Sequence, residues 1–203
     1  MRTFTNLLII LIYLVITIPN LSAQNDNEIK TISGSDHKNG GYGGFSIGYT
    51  RMNYNFNGFI FGGKGAWIIN HSFGIGGAFY GYAHFKNYDF EYITGRAGGY
   101  GGLLLEPVFW GKHPVNISVP LIIGGGSYTA FTSDNYIIDS YFIFVPGIEL
   151  QFNVTKHYRM ALGFDYRLTS KIEGSLLDPE NEIIAPEAPG GFSVHLVFKF
   201  GKF

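Results

Sequence analysis

Residues 158–170, YRMALGFDYRLTS, alternate without a break. Tyr158, Met160, Leu162, Phe164, Tyr166 and Leu168 fall on one parity. Arg159, Ala161, Gly163, Asp165, Arg167 and Thr169 fall on the other. A β-strand turns successive side chains to opposite faces, so this stretch is a strand with one bulky apolar face and one small or polar face.

The same pattern recurs on both sides. Phe142, Phe144, Pro146, Ile148, Leu150 and Phe152 oppose Gly147, Glu149, Gln151 and Asn153. Phe192, Val194, Leu196, Phe198 and Phe200 oppose Ser193, His195, Val197 and Lys199. Val115, Ile117, Val119, Leu121 and Ile123 oppose Asn116, Ser118, Gly124 and Gly126. From Gly40 onward no stretch has a helical period. Eight such segments are expected, near 41–51, 58–69, 73–84, 96–109, 115–130, 140–153, 158–170 and 191–202. The connections at 70–72, 111–114 and 155–157 are tight. Those at 52–57, 85–95, 131–139 and 171–190 are mostly longer and more polar. An even strand number with short turns at one end and longer loops at the other is the layout of a transmembrane barrel. The fold class expected is therefore all-β, an eight-stranded antiparallel up-and-down transmembrane β-barrel.

Alternation alone does not say which face is inside, because a soluble cup alternates too. Size decides it. Eight bulky faces would overfill the lumen of so small a barrel, whereas Gly-rich and polar faces fit it. The bulky faces then meet lipid. Aromatics near strand ends (Tyr49, Trp67, Phe73, Phe109, Phe131, Tyr158 and Phe203) suit a headgroup-level girdle. Composition agrees: 14% of residues are charged and 17% aromatic, with 29 Gly, against about 25% charged in an ordinary soluble domain. A net charge of -1 gives no reason to expect a nucleic-acid partner, and the absence of Cys excludes disulfides, thiol chemistry and Cys-bound zinc.

Arg2, the apolar run Leu7–Ile18 and the break at Pro19-Asn20 read as a secretory signal, with a cut expected after Ala23. The run is shorter than the ~20 residues of a spanning helix, which disfavours a retained anchor. The organisation expected is a signal peptide at 1–23, a flexible periplasmic lead-in at 24–39 and the barrel at 40–203.

The signal, the eight alternating segments, the unequal connections and the terminal run HLVFKFGKF at 195–203 together resemble the small OmpA/OmpX-like outer-membrane β-barrels of Gram-negative bacteria. The segment GIELQFNVTKHYRMALGFDYR at 147–167 looks like the last periplasmic hairpin of such barrels. The resemblance implies a cell outer membrane location, contact with outer-membrane lipid, and an assembly signal at Phe198, Phe200 and Phe203 read by the barrel-assembly machinery. Gly201 and Lys202 place Phe203 out of phase with the other two.

Parity puts Lys64, Arg96, Glu106, Glu149, Arg159, Asp165, Arg167, His195 and Lys199 on the lumenal face. Mixed signs in a narrow interior favour a plug of paired charges over a conduction path, since an unpaired buried charge is costly. Arg159 and Arg167 are expected beside Glu149. That pairing explains Glu149 and Glu106 better than acid–base hydrolysis by two carboxylates does. A lipid-modifying site would draw on His84 with Ser133, Ser140 or Ser170, which no spacing links. His71, His113 and His157 recur in the short turns, where polar residues are ordinary. Glu173, Asp178, Glu180, Glu182 and Glu187 make the longest loop acidic without an EF-hand order of ligands. The Gly clusters at 40–44, 98–102 and 124–126 lack the strand-to-helix setting of a phosphate loop and suit strand curvature. No catalytic residue, metal or cofactor is expected. The function expected is a structural or interaction role through the outer loops, with an unknown extracellular ligand. A narrow pore or small-ligand binder is the alternative, and a lipid-modifying enzyme a third reading.

Overall fold

The structure is a computed structural model that describes residues 39–52, 56–88, 92–131, 136–170, 176–177, 183–184 and 190–203. The chain divides into two units, Met1–His37 and Lys38–Phe203, and the described residues belong to the second. The stretch read as a signal, and nearly all of that read as a lead-in, lie outside the described residues.

The strands are β1 (Gly40–Met52), β2 (Phe56–Ile69), β3 (Phe73–Tyr88), β4 (Tyr92–Phe109), β5 (Val115–Ser118), β6 (Leu121–Phe131), β7 (Tyr136–Asn153), β8 (Tyr158–Thr169), β9 (Leu176–Leu177), β10 (Ile183–Ile184) and β11 (Gly191–Lys202). Each of β1 to β4 pairs antiparallel with the next, and β8 pairs with β7 and β11. The first strand closes on the last, with Phe45 opposite Phe198 and Gly48 opposite His195. Strands β5 and β6 share one position between β4 and β7, so the closed barrel has eight strand positions.

That shared position departs from the single segment expected at 115–130. The ladder lapses at Val119 and Pro120, because proline has no N–H to donate. The register nevertheless continues, from Ser118 opposite Glu149 to Leu121 opposite Pro146. Neighbouring backbone groups remain bonded: the Gly147 N–H donates to the Pro120 carbonyl and the Val119 N–H to that of Pro107, at 2.8 and 2.9 Å. Inside-outside alternation therefore survives the break.

The long-loop end also differs from expectation. Strands β3 and β4 stay paired out to Tyr88 and Tyr92, so the loop expected at 85–95 shrinks to 89–91. Strand β7 starts at Tyr136 rather than near 140. Backbone pairing does not require apolar side chains, so boundaries read from hydrophobicity stop short. Within the stretch read as a polar loop, Leu176–Leu177 pairs with Ile183–Ile184.

Large apolar side chains cover the outside: Phe59 is 79% exposed and Leu162 50%, and Phe61, Phe79, Phe142 and Phe164 are also exposed. Rings stack between neighbouring strands, as Phe45 on Phe198 and Tyr158 on Phe200, both at 4.9 Å. An apolar surface running round a closed barrel far exceeds the patches of a water-soluble protein. A closed barrel satisfies its backbone groups internally, as hydrocarbon requires. This is a lipid-facing surface. Phe203 is an exception to the expected girdle. Its odd parity turns it to the mouth of the lumen, where it stacks on Tyr42 at 5.9 Å.

Candidate functional site

The interior is not only small and polar. Tyr42, Tyr80, Tyr82, Tyr100, Tyr128 and Tyr141 are buried there, with Leu104, Ile143 and Val145. Glycines directly opposite make the room. Tyr80 faces Gly62 and His195 faces Gly163 across their strand pairs. A Cβ at Gly62 would lie 2.5 Å from the Tyr80 ring, and one at Gly163 would lie 2.4 Å from the His195 ring. These rings lie flat against bare backbone, which lets bulky side chains fit inside a narrow barrel.

Toward the short turns, four charges meet from four strands: Lys64 of β2, Glu106 of β4, Glu149 of β7 and Lys199 of β11. Lys64 pairs closely with Glu149 and stands 3.8 Å from Glu106. Lys199 pairs closely with Glu106 and lies 2.8 Å from Glu149. Two cations and two anions leave the group neutral. Its remaining acceptor positions are also filled. The Ser118 hydroxyl donates to Glu106 at 2.8 Å, and the Gln151 amide donates to Glu106 at 3.1 Å and to Glu149 at 3.3 Å. The Tyr42 hydroxyl donates to Glu106. Losing one member would strand a buried charge, at a cost of about 3–5 kcal/mol.

Arg159 and Arg167 are not the partners of Glu149, contrary to expectation. Parity fixes the face of a residue but not its height along the barrel. The Arg159 guanidinium lies below the cluster, at the mouth. It donates to Asn153, to Gln151 at 3.1 Å and to the Gly111 carbonyl at 3.1 Å, and sits 4.1 Å over the Phe203 ring. Arg167 lies at the far end. It donates to Thr50 at 3.1 Å and packs 4.8 and 5.3 Å over the rings of Tyr82 and Tyr100. The Tyr141 hydroxyl donates to the Gly99 carbonyl at 3.2 Å. The Tyr82 hydroxyl therefore supplies the proton in its 3.0 Å bond to Tyr141.

Between the layers, His195 Nδ1 lies 3.4 Å from Asp165 Oδ2, and Tyr80 stacks on both His195 and Tyr100. Lys64, Tyr80, Glu149, Asp165 and His195 help line a cavity of about 10 Å³, roughly the room for one water.

The side chain of Arg96 lies outside the described residues; its backbone pairs with His84. The side chains of His84 and Ser133 and the five loop carboxylates also lie outside them. Ser140 is exposed, and Ser170 Oγ accepts the Phe142 N–H at 3.0 Å, a strand-end bond. Among the described residues no group of three His, Asp or Glu is placed to hold a metal. His71 and His113 line one open pocket at the short-turn end.

No family model matches the sequence, and no curated protein matches it. Solved structures share its shape. Neisserial surface protein A is 11% identical, with 81% of this chain and 97% of that chain covered and a TM-score of 0.56. The attachment invasion locus protein Ail of Yersinia pestis is 15% identical, covering 83% and 100%, with a TM-score of 0.49. A major outer membrane protein of Thermus thermophilus is 10% identical, covering 81% and 100%, with a TM-score of 0.47. The fold is that of the small eight-stranded outer-membrane barrels, as the sequence resemblance implied.

Proposed function

We propose that the chain is a cell outer membrane barrel with a shut lumen, acting through contacts of its long-loop end rather than as a pore or an enzyme. One observation carries this reading. The neutral cluster of Lys64, Glu106, Glu149 and Lys199 links β2, β4, β7 and β11 across the interior. The aromatic layer beyond it adds a second obstruction. Short turns toward the periplasm and a mature terminus near Gln24 belong to the same reading, as does recognition of Phe198, Phe200 and Phe203 by the barrel-assembly machinery.

Purified protein in planar bilayers is expected to stay electrically silent. Stable unitary conductance from the wild type would favour the narrow-pore alternative instead. Single cysteines placed along 158–170 test the membrane seat, because the chain has no native Cys. Spin labels at even positions should report lipid, and those at odd positions should not.

A further inference from the structure

The short-turn end of the barrel is basic among the described residues. Around the short turns stand Lys112, Lys156, Lys202, His71, His113 and His157, and the described residues there include no Asp or Glu. In the sequence, nine carboxylates fall instead in or beside the longer connections: Asp89, Glu91, Asp134, Asp139, Glu173, Asp178, Glu180, Glu182 and Glu187.

The basic end also has a built concavity. Two turns, Asn70–Ser72 and Trp110–His113, enclose an open pocket of about 290 Å³. They abut because Gly111 has no side chain: a Cβ there would lie 2.2 Å from the His71 carbonyl oxygen. The second turn is fixed from the lumen side. The Asn153 amide donates to the His113 carbonyl at 2.6 Å, and Arg159 donates to the Gly111 carbonyl. The backbone is held in the left-handed region at Asn70, His71 and Trp110, with φ of 51°, 57° and 58°. Asn and His enter that region readily in tight turns, but a bulky indole rarely does, and strain such as that at Trp110 gathers at ligand-holding segments. The conformation leaves Trp110 64% exposed beside Phe109, where an indole suits the headgroup level of a bilayer.

We propose that this pocket binds the phosphate of an anionic phospholipid headgroup. Lys112 supplies positive charge, the imidazoles of His71 and His113 supply N–H donors, and Trp110 lies against the glycerol and upper acyl region. An ammonium beside a phosphate gives charge-assisted hydrogen bonds. The apolar face of the indole selects a lipid over a soluble anion. The inference rests on the membrane seat proposed above, which the spin-label scan tests separately.

Native mass spectrometry of the detergent-purified full chain, titrated with phosphatidylglycerol, provides the test. Phosphatidylglycerol should be retained in preference to phosphatidylcholine. Lys112→Ala should weaken retention about fivefold, the effect of one lysine near an anionic surface. Lys156→Ala removes the same charge from a turn outside the pocket and should leave retention unchanged. Circular dichroism confirms that each variant keeps its sheet. Equal losses in the two variants would overturn the pocket in favour of diffuse rim charge. Displacement of the lipid by an equal concentration of inorganic phosphate would overturn the lipid assignment. Absence of any preference for phosphatidylglycerol would overturn the proposal outright.

Discussion

The two halves of the lumen are filled by different chemistry. Toward the short turns, opposite charges neutralise one another and share Ser118 and Gln151. Toward the long loops, rings lie on glycines and the cation Arg167 rests on two tyrosine faces. The ionic half depends on stoichiometry, since removing one charge leaves another buried without its counter-charge. The aromatic half depends on shape, since a truncated ring mainly leaves a gap. The same barrel wall thus supports one region that tolerates little change of charge and another that tolerates little change of volume.

The largest effect expected is in the ionic half. Lys199→Met leaves two glutamates on one lysine and should cost about 3–5 kcal/mol in urea unfolding from lipid vesicles. Combining it with Glu106→Gln restores neutrality and should recover most of that loss. Equal instability of the single and double variants would mean that charge balance is not what holds this half.

Next comes the outer wall, which has no counterpart to either filling. Leu162→Arg places a charge in hydrocarbon and should cost about 2–4 kcal/mol near the midplane. Leu162→Ala should cost far less, because lipid leaves no fixed cavity. An alanine as harmful as the arginine would show that Leu162 packs against protein.

In the aromatic half, Gly62→Ala drives a methyl into the Phe79 carbonyl oxygen and the Tyr80 ring and should cost about 1–3 kcal/mol as overpacking. Tyr80→Ala in the same chain should relieve only the ring's share of the clash, since the Phe79 carbonyl oxygen would still lie 2.3 Å from the new methyl, and a double-mutant cycle would read that share as coupling. The smallest effect is Tyr82→Phe. It keeps the ring under Arg167 and removes the bond to Tyr141, for about 0.5–1.5 kcal/mol. A loss as large as that of Lys199→Met would erase the distinction between the halves.

Much of the fold could be read from alternation. Asp165 and Leu162 take opposite faces because the period of a strand is two, and the same count on β7 and β11 turns Glu149 and Lys199 inward. The partners could not be read that way. Strands tilt in a closed barrel, so residues far apart in number meet at one height, and Lys64 rather than Arg159 reaches Glu149. The inward tyrosines were open to the same count. Tyr100 shares the parity of Glu106, and Tyr141 that of Glu149. Bulk on its own points to lipid, and only the glycine opposite each ring makes room for it inside. The limits of β3, β4 and β7 were hidden for another reason: hydrogen bonding continues past the last apolar residue.

The charge cluster also bears on the order in which the barrel forms. If β11 is the last strand seated, Lys64, Glu106 and Glu149 are present before it, and Lys199 arrives with the strand that joins β1. Until then the sheet holds two carboxylates against one ammonium, and the excess negative charge needs water. Joining the edges therefore discharges the interior in the same step that removes its last open edges. A late intermediate would be hydrated and poorly suited to lipid, and the finished barrel would have little tendency to reopen along the β1–β11 seam.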